Sequence, residues 1–149
     1  MRDPLPALAE LGRVCERLLI ITPSRLLEQT RGIDHPLCCG FSHHPWIVYA
    51  DAGGLVFRRK TAYLNFPGCH LWCPLGKTLS VEDGTFVYSG GPVAGRELAY
   101  WSGEQEVEDY RGFVRERAAR GGPRLVPDGR PVTLRRRVYR LRQRYLGTP

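Results

Sequence analysis

The chain reads as an α+β domain, with an N-terminal helix, a central and mostly antiparallel sheet of about five or six strands, and a basic C-terminal helix. Three observations predict it. Apolar residues recur at helical spacing near both ends, the middle is a series of β-prone runs broken by glycine and proline, and the apolar runs, such as Leu18–Ile21 and Trp46–Ala50, are short.

Pro4 to Ile21 is the first predicted helix, because Leu8, Leu11, Cys15 and Leu18 share one face and Val14 and Leu19 widen it. Thr22-Pro23 ends it, since proline has no amide donor and pushes the preceding residue out of helical geometry. Ser24 to Gln29 offers a further short turn of helix, and residues 31–36 read as a loop. Trp46 to Ala50 is β-prone, Asp51-Ala52-Gly53-Gly54 is turn material and Leu55-Val56-Phe57 resumes the pattern, which together predict a hairpin. Thr61–Phe66, Thr85–Tyr88, Glu97–Trp101 and Glu106–Val114 are read as further strands, with turns at Glu82-Asp83-Gly84 and Gly90-Gly91-Pro92. Gly121-Gly122-Pro123 and Pro127-Asp128-Gly129 bracket a loop. Leu134, Val138, Leu141, Tyr145 and Leu146 then mark the apolar face of the last helix. Residues 1–120 are accordingly expected to form one domain, with 121–149 a loop and basic helix packed on it.

At 149 residues the chain can bury a core without disulfide staples. No stretch approaches the ~20 apolar residues that span a bilayer, which argues against an integral membrane protein. The first residues carry no secretory pattern, so an intracellular setting, cytoplasmic or nuclear, and reduced cysteines are expected. The charge is unevenly placed. Residues 115–145 hold eleven arginines against Glu116 and Asp128, whereas the first 114 residues hold eleven basic and thirteen acidic groups.

All four histidines and four of the five cysteines fall between His35 and Cys73. Thiolates and imidazoles are the ligands of zinc, and a four-coordinate site needs two local pairs brought together. Cys39 and His43 with Cys69 and Cys73 meet that need, with Cys38, His44 and His70 as alternates. The CxxxC spacing departs from the usual CxxC, and buried core cysteines with solvated histidines are the plainer reading. Nucleophilic chemistry would use Cys39 or Cys69 as thiolate, His43, His44 or His70 as base and Asp51 to orient the imidazole. Ser42, His43 and Asp51 would be the serine version, but neither GxSxG nor a catalytic-cysteine signature is present. Glu104, Glu106, Glu108 and Asp109 form a carboxylate-rich patch, read as a solvated strand face.

Arginine pairs bidentately with phosphate, and a dense array gains affinity by releasing counterions. Arg135, Arg136, Arg137, Arg140, Arg142 and Arg144 supply such an array, with Tyr139 and Tyr145 available for stacking. Arg58, Arg59 and Lys60 suggest a second basic patch. Arg31-Gly32-Ile33, Cys39-Gly40-Phe41 and Trp46, with Gly95-Arg96, Leu98 and Tyr100, resemble parts of the Cys/His-rich early-region proteins of adenoviruses, at shorter spacing, and no residue role follows from that resemblance. These observations lean away from an enzyme and toward a small regulatory protein, zinc-stabilised through the cluster, that engages nucleic acid or an acidic protein surface. An enzyme of hydrolysis or group transfer is the alternative, as is an adaptor or oligomerisation module using Trp46, Trp72 or Trp101.

Overall fold

The computed structural model describes residues 3–35, 37–72, 81–98, 102–120 and 126–127. Helix α1 spans Pro4–Val14. Asp3 caps it by accepting from the Leu5 amide at 3.1 Å, and Pro4 starts the first turn, where its missing amide costs nothing. The helix stops seven residues earlier than its apolar spacing predicts. Leu18–Pro23 is strand β1 instead, because it pairs residue for residue with a strand near position 88. Ile20, Ile21 and Thr22 are β-branched and favour that outcome locally.

Ser24 caps the single turn α2, Arg25–Glu28, through its hydroxyl and the Leu27 amide. Strand β2 is Thr30–Arg31. Strands β3 (Trp46–Asp51) and β4 (Gly54–Arg59) form the predicted antiparallel hairpin. Both turn residues have positive φ, +47° at Ala52 and +79° at Gly53, which is the geometry of a type I′ two-residue turn. Thr61–Phe66, expected as strand, contains a 3₁₀ turn over Ala62–Asn65. Strand β5 is Leu71–Trp72, α3 a single turn over Val81–Gly84, β6 Thr85–Gly90 and β7 Gly95–Glu97. Helix α4 covers Gly103–Ala119, and β8 is Val126–Pro127, inside the segment expected to be a loop.

Two expectations are corrected here. Glu106–Val114 is helix, not strand. Ser102 caps α4 by accepting from the Gln105 amide, and Glu106, Tyr110 and Val114 form its buried stripe at i, i+4 and i+8. A charged residue at the first position of that stripe hides the helical period. The α+β class holds, but the single five-to-six-stranded sheet does not. Among the described residues there are three small sheets: β1 with β6, antiparallel; β2-β5-β8; and β3-β4-β7. The pairings β2–β5 and β4–β7 are parallel.

The β3–β4 hairpin lies at the centre and buries both faces. Val48, Leu55 and Phe57 pack on one face with Leu8 and Leu18, and Leu5, Phe86 and Tyr88 join at the edge. Ile47 on the other face packs with Cys39, Leu64, Cys69 and Tyr110. Leu26, Leu71 and Val114 form a third, smaller cluster. Among the described residues no helix is long and apolar enough to cross a membrane. The segment 131–149, with the expected basic helix, lies outside the described residues.

Candidate functional site

The second face of the hairpin carries a buried charged centre. Arg58, opposite Ile47 in the register, is 0% exposed. Its guanidinium lies 3.3 Å from the centre of the Tyr110 ring, ion-pairs with Asp109, and donates to the Glu106 carbonyl at 3.3 Å. The Glu106 carboxylate, itself buried, accepts from the Thr61 hydroxyl at 2.6 Å. Asp109 also accepts from Arg25 at 2.6 Å, so one carboxylate ties two arginines. Burial pushes the Tyr110 phenol up to about 12, against the opposing pull of Arg58.

A second charged centre surrounds Glu28, 1% exposed. Its carboxylate ion-pairs with Lys60, lies 2.7 Å from Nδ1 of His44, and accepts from the Phe41 amide at 3.3 Å. Lys60 also donates to the Phe41 carbonyl at 2.8 Å. Gly40 has φ +57°, and a Cβ there would stand 2.6 Å from Cα of Glu28, so only glycine lets the loop approach this closely.

The Cys/His cluster divides between these surroundings. Cys39 is buried with its thiol directed at the Leu64 carbonyl at 3.8 Å, and burial raises its pKa to about 11. Cys69 is buried against the Val107 carbonyl, and burial likewise raises it. His70 is buried with Nδ1 3.0 Å from the Leu64 carbonyl, an arrangement that places the proton on Nδ1. His43 and His44 stack edge-on, centroids 4.3 Å apart, beside Phe41. His35 Nδ1 accepts from the Leu37 amide, and Cys38 is half-buried. Among the described residues no three His, Cys, Asp or Glu side chains converge as a metal site. Cys73 lies outside the described residues.

The proposed catalytic set is likewise spread out. Asp51 stands at the turn end of β3 and pairs with Arg96. His43 precedes the other end of that strand, which at ~3.3 Å per residue is roughly 17 Å away. Arg58, Arg59 and Lys60 do not form one surface: Arg58 is buried against Asp109 and Glu106, Lys60 is held by the buried Glu28, and of the three only Arg59 is exposed. The six C-terminal arginines lie outside the described residues.

The feature sequence reasoning missed is a cleft of about 300 Å³ between α2, β3, β6 and α4. Tyr49, Phe86 and Phe113 supply its aromatic walls. Arg25 braces two of them, its guanidinium 5.0 Å from the Tyr49 ring centre and 4.4 Å from that of Phe113. Arg117, paired with Asp83, and Arg120, paired with Glu116, stand at its rim with Glu82. Reading α4 as a strand concealed it: Phe113, Glu116, Arg117 and Arg120 share a side only at helical spacing. No protein family, curated protein or solved structure matches this chain.

Proposed function

We propose that the chain is a non-enzymatic binding protein that engages nucleic acid or an acidic protein surface through its arginine-rich C-terminal segment. The observation that carries this reading is the segregation of charge. Residues 1–120 contain fourteen basic and fourteen acidic groups, whereas residues 121–149 contain eight arginines and only Asp128, so the whole net charge of +7 belongs to that segment. Seven of the twelve arginines in residues 1–120 pair with a carboxylate: Arg13 with Glu10, Arg25 and Arg58 with Asp109, Arg96 with Asp51, Arg115 with Glu108, Arg117 with Asp83 and Arg120 with Glu116. The C-terminal excess has a single acidic residue within its own stretch to offset it. A polyanion that displaces counterions from such an array gains affinity without any base contact.

The disposition of the cysteines supports a non-catalytic reading. A nucleophilic cysteine needs a depressed pKa and a base within reach, and Cys39 has burial acting in the opposite direction. The zinc set Cys39, His43, Cys69 and Cys73 belongs to the proposal as a stabilising element; stoichiometric zinc by elemental mass spectrometry supports it, and its absence leaves the thiols as core residues.

The test is a salt titration of binding to a labelled oligonucleotide. Replacing Arg135, Arg136 and Arg140 together by glutamine is expected to weaken binding and to reduce the slope of log K against log salt by about 2 to 3, at ~0.7–0.9 per phosphate contact. An unchanged affinity and slope overturn the proposal.

A further inference from the structure

We propose that the cleft between α2, β3, β6 and α4 is a nucleotide pocket, holding one unpaired base between its aromatic walls and that base's phosphate at the arginine rim. It rests on the polyanion reading above and extends it to a substrate class, a nucleoside monophosphate unit, whether free or part of a single strand.

Three features of the cleft match the three parts of that ligand. Bases have π-faces, and Tyr49, Phe86 and Phe113 present rings to a space of about 300 Å³, at the small end of ligand sites, ~300–1,000 Å³. Base edges carry amino donors, and Glu82 offers an exposed carboxylate at the rim that pairs with no cation among the described residues. Carboxylates accept from such amino groups. Phosphate needs guanidinium, and Arg120 meets that need at little cost. Its ion pair with Glu116 is an i,i+4 surface contact, 66% and 59% exposed at the two side chains, of the kind that contributes little to stability. A phosphate can replace Glu116 there with a bidentate contact.

Position in the chain strengthens the assignment. Arg117 and Arg120 end α4 and run directly into the segment that begins the arginine excess. The rim and the arginine-rich segment are thus neighbours in sequence. Arg25, held by Asp109, lies over both the Tyr49 and Phe113 rings and ties these two walls together. A duplex buries its bases, so the pocket favours unpaired nucleic acid.

The experiment uses the full chain and two probes, AMP and a single-stranded oligonucleotide carrying 2-aminopurine, with a duplex and polyglutamate as competitors. Stacking quenches 2-aminopurine on binding. Phe113→Leu, which keeps apolar volume against Leu26 and Leu71 but removes the ring, is expected to weaken the oligonucleotide roughly tenfold and abolish the quench, following ~1–3 kcal/mol per stacked base. Phe113→Tyr is expected to retain both. Arg120→Gln is expected to weaken AMP several-fold, and Glu82→Gln to narrow the preference for AMP over UMP. AMP binding with no oligonucleotide binding assigns the pocket to a free nucleotide and overturns the polyanion reading alone. Oligonucleotide binding that is lost in the Arg135/Arg136/Arg140 glutamine variant, yet is unquenched and indifferent to Phe113→Leu, overturns the pocket alone. Displacement by polyglutamate as effective as by single strand identifies an acidic protein as partner and overturns the pocket as well.

Discussion

The two faces of the central hairpin solve the same problem in opposite ways. Val48, Leu55 and Phe57 face a neighbourhood of α1, β1 and β6 side chains that is apolar throughout. On the reverse face Arg58 sits among Ile47, Tyr110 and two carboxylates, so a full charge is buried where the first face buries rings and methyl groups. Apolar packing is forgiving, since a similar volume in a similar shape restores it. A buried ion is unforgiving, because removing one partner leaves the other charged, desolvated and unanswered. The second face should therefore be the more brittle, although its Coulombic contacts look the stronger.

Arg58→Met gives the largest expected effect and can break this comparison. It is expected to destabilise the protein by about 3–5 kcal/mol, because the buried Glu106 carboxylate then loses the guanidinium beside it. Phe57→Leu, one position along the same strand but on the apolar face, is expected to cost under about 1.5 kcal/mol. Adding Glu106→Leu to Arg58→Met should recover most of the loss, since the charge left behind is then gone. Urea unfolding midpoints read all three. A loss below about 1 kcal/mol for Arg58→Met would show that the buried ion is not the weak point of that face.

What the sequence made legible follows the same division. The hairpin could be read from the sequence, since two β-prone runs, Trp46–Ala50 and Leu55–Phe57, are joined by the turn residues Asp51 to Gly54. The charged face could not, because its members, Arg58, Glu106, Asp109 and Arg25, look like solvent-facing residues until the fold assembles them. Glu106 therefore fits a strand as well as a helix on sequence alone, and that ambiguity hides both helix α4 and the cleft its far end forms. The Cys/His cluster is a separate case. Its spacing admits a metal site, but spacing does not say where thiols point, and Cys39 and Cys69 turn to backbone carbonyls. Neither the six C-terminal arginines nor Cys73 is among the described residues, so there the sequence reading remains a proposal.

Titration sharpens the comparison at intermediate size. Cys39 belongs to the charged face but is itself neutral, with burial raising its thiol to about 11 from an ordinary value near 9. Between those values the unfolded chain has released this proton and the native chain has not. The unfolded state therefore binds fewer protons, and stability falls as pH rises. Below about pH 9 the full contribution is present, and it is lost progressively toward pH 11. The raised Cys69 thiol and the raised Tyr49 and Tyr110 phenols act in the same direction. Cys39→Ser, which cannot titrate in this range, should show a shallower alkaline decline by up to ~1.4 kcal/mol per pH unit. In the native state Cys39 should also alkylate far more slowly than the half-buried Cys15 and Cys38. Equal rates for all three would mean that this face opens readily to solvent.

The smallest expected effect tests whether the hairpin tip, shared by both faces, limits either. Ala52 holds φ +47°, a conformation in which its Cβ crowds the following backbone, while Gly53 beside it takes the same region freely. Asparagine tolerates this geometry better, and Asn-Gly is the favoured pair for a type I′ turn. Ala52→Asn is therefore expected to stabilise the protein by a few tenths to about 1 kcal/mol, with no change in ligand binding. The gain should be the same in the wild-type background and in Arg58→Met, since the tip lies six residues along the strand from position 58 and shares no partner with it. A gain that vanished in the Arg58→Met background would mean that the charged face sets the turn geometry. The hairpin would then be held in place from one side only, rather than clamped by both.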